Sequence, residues 1–160
     1  MRLFPGMLVL LTVFFCTSLL RAEAPGFKSF LFDGALFREA RGVGAVLVRD
    51  GMLPALAEEG IAPEDPLPTG TGAVALLCYR QSSGGKLKSH AAAQPMAGVA
   101  VSVSGAGFRL AARTDASGYL ILALPAGSYQ FKLAGFTKQV VIDAGKTALV
   151  SIRDGKRMVD

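Results

Sequence analysis

Few residues in this chain of 160 could do covalent or metal chemistry, because it carries one histidine and two cysteines. His90 lies in a polar stretch, and a closed zinc or iron site takes three or four ligands, so a lone histidine reads as a surface residue. A Ser-His-Asp set can be drawn on paper from His90, Asp115 and a serine. No G-x-S-x-G turn marks a nucleophile, however. Cys78, within the apolar run GAVALLCYR, reads as a buried inert thiol, with only Arg80 close enough in sequence to favour the thiolate. Gly84-Gly85-Lys86 lacks the glycine spacing, the Ser/Thr after lysine and the following helix of a phosphate-binding loop. These residues therefore predict no catalytic site, no metal and no cofactor.

What the sequence does offer is positive charge. The chain carries a formal +5, unevenly spread. Residues 25–72 hold four basic against seven acidic side chains, or −3, whereas residues 73–160 hold eleven against four, or +7. Lys86 and Lys88, in the connection 81–94, together with Arg109 and Arg113 on the polar face of a strand, are the candidate anion-binding or partner-binding residues. Such a body attracts anionic partners in a salt-dependent way. The competing role of these cations is to keep the domain soluble.

The kind of partner follows from the chain's address. Arg2 precedes the apolar run MLVLLTVFFCTSLL and then RAEAPG, which is the layout of a secretory signal. Residues 1–24 are read as that signal, cleaved after Ala24 or Ala22. A retained anchor is disfavoured because the run falls short of the ~20 residues that span a bilayer. Lipidation at Cys16 is disfavoured because Val13-Phe14-Phe15 puts no small residue ahead of it. An exported chain whose remaining thiol is Cys78 has no intramolecular disulfide. Its expected partners are a protein or an anionic envelope glycan, in the periplasm, outer envelope or medium, and not nucleic acid.

The elements that must position these cations are strands. IAPEDPLPTGTG, residues 61–72, with three prolines and two glycines that forbid a helix, reads as a linker. Upstream, residues 25–60 form an extension: KSFLFDGALF suggests a hairpin about Asp33-Gly34, GAVLV a short strand, and LPALAEEG, residues 53–60, a short helix stopped by Gly60. Four phenylalanines, Phe27, Phe30, Phe32 and Phe37, are too many for an unpacked tail. Downstream the period becomes two. Val99, Val101 and Val103 alternate with Ala100, Ser102 and Ser104, and Tyr129, Phe131 and Leu133 with Gln130 and Lys132. Seven such runs, joined by turns at short spacing, predict a seven-stranded antiparallel β-sandwich over residues 73–156.

Two turns punctuate it. In Thr114-Asp115-Ala116-Ser117-Gly118 the Asp115 side chain bonds the backbone ahead and Gly118 supplies a positive φ, so a hairpin loop is expected. Leu124-Pro125-Ala126-Gly127 suits a type I turn. Tyr119 and Tyr129 then start facing strands, and both rings are expected between the sheets. Asp115, Gly118, Tyr119, Pro125, Gly127 and Tyr129 are thus turn and core residues. The strand at Tyr119–Leu124 is apolar on both faces, which predicts a central, covered position or an interface.

These strings resemble the carboxypeptidase regulatory-like domain, a transthyretin-like or prealbumin-like β-sandwich. The resemblance rests on Pro95 with Gly98–Val103, on Thr114, Asp115, Gly118 and Tyr119, on Leu124, Pro125, Gly127 and Tyr129, and on Gly145 with Thr147, within residues 73–153. It implies a fold, and every residue it carries over has a turn or core role. Relatives of that sandwich include histidine-dependent hydrolases and iron dioxygenases, and adhesins cross-linked with help from a buried glutamate; one histidine, and no glutamate after Glu64, leave both without support here. The expected function is a non-enzymatic exported binding or assembly module. The alternatives are a carrier of a small apolar ligand, or a hydrolase with its site in the 81–94 loop.

Overall fold

The computed structural model describes residues 26–57, 64–81 and 93–155. Every regular element in them is a strand except a 3-10 position at Ala57. The strands are β1 (Lys28–Phe32), β2 (Phe37–Glu39), β3 (Val46–Val48), β4 (Ala55–Leu56), β5 (Thr71–Gln81), β6 (Ala93–Pro95), β7 (Ala100–Gly105), β8 (Phe108–Arg113), β9 (Tyr119–Pro125), β10 (Gly127–Leu133), β11 (Phe136–Ile142) and β12 (Thr147–Asp154). They form three sheets: β2-β1-β3-β4, then β12-β5 with β9 and the short β6 along the other side of β5, then β11-β10-β7-β8.

The sheets stack as three layers because the middle one is apolar on both faces. On one side Val74, Leu76 and Cys78 of β5, Leu120 and Leu124 of β9, and Val150 and Ile152 of β12 pack against Val101, Val103, Tyr129, Phe131, Leu133 and Ile142 of the third sheet. On the other side the intervening residues Ala75, Leu77, Tyr79 and Tyr119 pack against Val46, with Phe32, Phe37, Val48 and Leu56 closing the cluster. Strands buried on both faces read as continuous apolar runs, which is why β5 spells GAVALLC and β9 spells YLILAL. The N-terminal phenylalanines are that cover: the Phe32 ring lies 4.8 Å from Tyr79 and the Phe37 ring 6.5 Å from Tyr119.

Several expectations change. The chain is all-β with mostly antiparallel pairing, but β12 runs parallel to β5, from Thr147 opposite Ala73 to Asp154 opposite Arg80. The two turns are not hairpin loops. β8 and β10 belong to the third sheet and β9 to the middle one, so the turns at Asp115–Gly118 and at Ala126 each carry the chain between sheets. Tyr119 consequently faces the first layer, where its hydroxyl donates to the Gly44 carbonyl at 3.1 Å, while Tyr129 lies in the inter-sheet core and donates to the Pro125 carbonyl at 2.8 Å. The expected helix at 53–60 is instead strand at Ala55–Leu56, paired with β3, because tertiary packing of Leu56 overrides a weak propensity; residues 58–60 lie outside the described residues. The expected linker is tethered from Asp65 on: the Leu53 and Leu67 amides donate to Asp65 and Gly51, Pro66 bridges Met52, and Thr71 already starts β5. The hairpin over β1 and β2 turns about Asp33, whose carboxylate accepts from the Ala35 and Leu36 amides at 2.9 Å and from Arg38.

Candidate functional site

The outer face of the β11-β10-β7-β8 sheet is built by alternation. Inward residues Val101, Val103, Tyr129, Phe131 and Leu133 leave Ser102, Ser104, Gln130 and Lys132 pointing the other way. Register then brings the polar residues into rows. Arg109 lies opposite Ser104, Ser104 opposite Gln130 and Gln130 opposite Gln139; the next row is Ala111, Ser102, Lys132 and Thr137; Arg113 stands opposite Ala100. Arg109, Arg113 and Lys132 thus share one exposed sheet face, and none of the residues in these rows is acidic. Two strand spacings and a two-residue offset separate Arg109 from Lys132, about 12 Å, and four residues along β8 separate the arginines, about 13 Å. Cations so far apart on a flat surface suit an extended anionic partner better than a single small anion. A shallow depression of about 420 Å³ on this face is lined by Ser104, Gln130, Gln139 and Val141 among others.

Of the candidate cations, Arg109 and Arg113 fall here. Arg113 also has a structural duty, donating from Nη1 to the Gly98 carbonyl at 2.6 Å. Lys86, Lys88 and His90 lie outside the described residues. Lys132 joins the face without having been singled out, although its alternation with Phe131 and Leu133 already put it on the wet side.

The residues around Asp115 form a dense polar cluster of another kind. Thr114, 4% exposed, donates to the Met96 carbonyl at 2.6 Å and accepts from the Val99 amide at 3.0 Å. Asp115 Oδ1 accepts from the Ser117 and Tyr119 amides at 2.9 and 2.8 Å. Gly118, at φ +78°, sits where a Cβ would come within 2.8 Å of Pro95 and the Met96 amide. These bonds hold the crossing from β8 to β9 and serve structure. Near it, Cys78 is buried, and burial, with the negative charge of Asp154 adding to it, raises its thiol to about 11, so it is a poor nucleophile at neutral pH. Among the described residues no three His, Cys, Asp or Glu side chains gather as metal ligands, and no helix is long and apolar enough to cross a membrane.

No protein-family model and no curated protein matches the sequence. Among solved structures the chain is similar to the Bacillus anthracis TIE protein, with a TM-score of 0.42 and 19% identity over 52% of this chain and 16% of that one.

Proposed function

We propose that this is an exported, non-enzymatic binding or assembly module whose body, β5 to β12, is a carboxypeptidase regulatory-like sandwich, and that its outer sheet face docks an anionic partner in the cell envelope or outside the cell. The observation that carries the reading is the shared face of Arg109, Arg113 and Lys132, rowed with serine and glutamine and without a carboxylate. Export is supported by the basic-apolar-small pattern of residues 1–24. The family assignment is supported by the crossings at Thr114–Tyr119 and Leu124–Gly127, where each residue of the resemblance has a turn or core duty.

The partner is a glycan or an acidic protein, and binding to either weakens with salt. The test is retention of the purified protein on immobilised dextran sulfate and on polyglutamate, wild type against Arg109→Glu/Lys132→Glu and against the triple variant that adds Arg113→Glu. We expect the double variant to elute at distinctly lower salt from at least one column while keeping the wild-type melting temperature. Unchanged elution of a folded double variant overturns the reading. The double variant spares Arg113 and its bond to Gly98, so misfolding does not blur the result.

A further inference from the structure

At the opposite edge of the same sheet from Arg109, the three layers meet around a cleft of about 770 Å³. The β1–β2 turn contributes Ala35, the end of β5 contributes Tyr79 and Gln81, the start of β11 contributes Phe136 and Lys138, and the end of β12 contributes Arg153. We propose that this cleft binds a small acidic sugar, a monosaccharide bearing a carboxylate or a phosphate.

The acid group is argued from charge. Among the described residues two cations line the cleft and no carboxylate does. The acids next to its walls are engaged elsewhere, Asp33 with Arg38 and Asp154 with Arg80 at 3.2 Å. The Nε of Arg153 is buried and has no hydrogen-bond partner among the described residues. Buried donors are almost always satisfied, so one left unpaired in a residue that lines a cleft points to an acceptor that arrives from outside. Lys138 Nζ uses one proton on the Ser151 carbonyl at 3.1 Å, which fixes the ammonium and leaves two N–H for a ligand. A guanidinium and an ammonium lining one cleft suit a carboxylate or phosphate.

The sugar body is argued from size and lining. A volume of about 770 Å³ falls in the range of small-molecule sites. Phe136, 38% exposed, offers an aromatic surface for the C–H face of a pyranose, and the Gln81 amide and Tyr79 hydroxyl are partners for its hydroxyls. This site is separate from the outer face proposed above and stands or falls without it.

The experiment is a titration of the full-length gene product, as purified from the expressing host, with D-glucuronate, glucose 6-phosphate and glucose, followed by calorimetry and by amide shifts. We expect at least one of the two acids to bind in the millimolar range or tighter, with shifts at Phe136, Lys138 and Arg153, and glucose to bind about tenfold more weakly or not at all. Lys138→Gln, on the exposed edge strand, and Arg153→Lys, which keeps the charge but loses the fork, should each weaken that binding about tenfold. Preference for one acid identifies the group the cleft takes. The proposal is overturned if neither acid binds, if glucose binds as well as both, if folded Lys138→Gln binds like wild type, or if Arg109→Glu/Lys132→Glu removes the binding.

Discussion

At the residue scale, Cys78 is the clearest case of a reactive type made inert by position. Burial and the nearby Asp154 carboxylate hold its thiol near 11 against an ordinary 9.0. Between those values the unfolded chain sheds this proton and the folded chain keeps it, so this term is fully favourable below pH 9 and is lost as pH rises toward 11. Cys78→Ala should therefore flatten the fall of the urea midpoint across that window, and the native thiol should stay unalkylated until the protein unfolds; an equally steep fall in the variant would show that the thiol is not responsible. Asp33 works at the acid end. Backbone amides and Arg38 depress its carboxyl to about 2, so what it adds is present above the ordinary carboxylate range and is lost as pH falls through 2. The chemistry at this scale was legible in the sequence: a thiol in GAVALLC and an aspartate before glycine between two apolar runs each announce their roles. The Arg153 donor was not, because the residues that share its cleft come from β11 and the β1–β2 turn, in distant parts of the chain.

At the element scale, the informative strand is β9. Its two apolar faces narrowed the possibilities to a covered centre or an interface, and the cover proves to be the chain's own N-terminal sheet. Period two placed β7, β8 and β10 as strands, since each has one dry and one wet face. The same signal could not tell a hairpin from a crossing between sheets. Asp115 and Gly118 look alike in either, and the direction in which β9 leaves is decided by Thr71–Leu77 of β5 needing a strand neighbour. Nor could it reveal that β12 lies parallel to β5, because orientation leaves no mark on alternation. A chain starting at Gly70 uncovers Leu77, Tyr79, Tyr119, Ile121 and Leu149 and removes the Tyr119–Gly44 hydrogen bond, alone about 1 kcal/mol. Light scattering should find it self-associated and dye-binding where the longer chain is monomeric. A well-behaved monomer would mean that the first sheet is an accessory and not a wall of the core.

At the scale of the whole molecule, positive charge gathers on one side. Arg109, Arg113 and Lys132 face away from the third sheet, whereas the first-layer residues 26–57 are near balance with four basic and three acidic side chains, so an anionic partner is steered to the third sheet. The layers are clamped at one end, where the Asp143–Lys146 turn grips the start of β5: Ala73 donates to the Lys146 carbonyl and Gly145 to the Thr71 carbonyl, both at 2.8 Å, and Gly51 of the first layer donates to Gly145 at 2.7 Å. Gly72 passes so close that a Cβ there would sit 2.1 Å from the Asp143 carbonyl. Deleting residues 144–160 should therefore abolish cooperative urea unfolding throughout, and not merely loosen one edge; a retained sharp transition would refute that coupling. The parallel β5–β12 pair also sets a clock. β5 lacks one of its neighbours until Thr147–Asp154 have left the ribosome, so the middle sheet, and the two cores that depend on it, cannot close before then. Until then Val74, Leu76 and Cys78 lack part of their cover, and the nascent chain is exposed to the association that holding chaperones prevent.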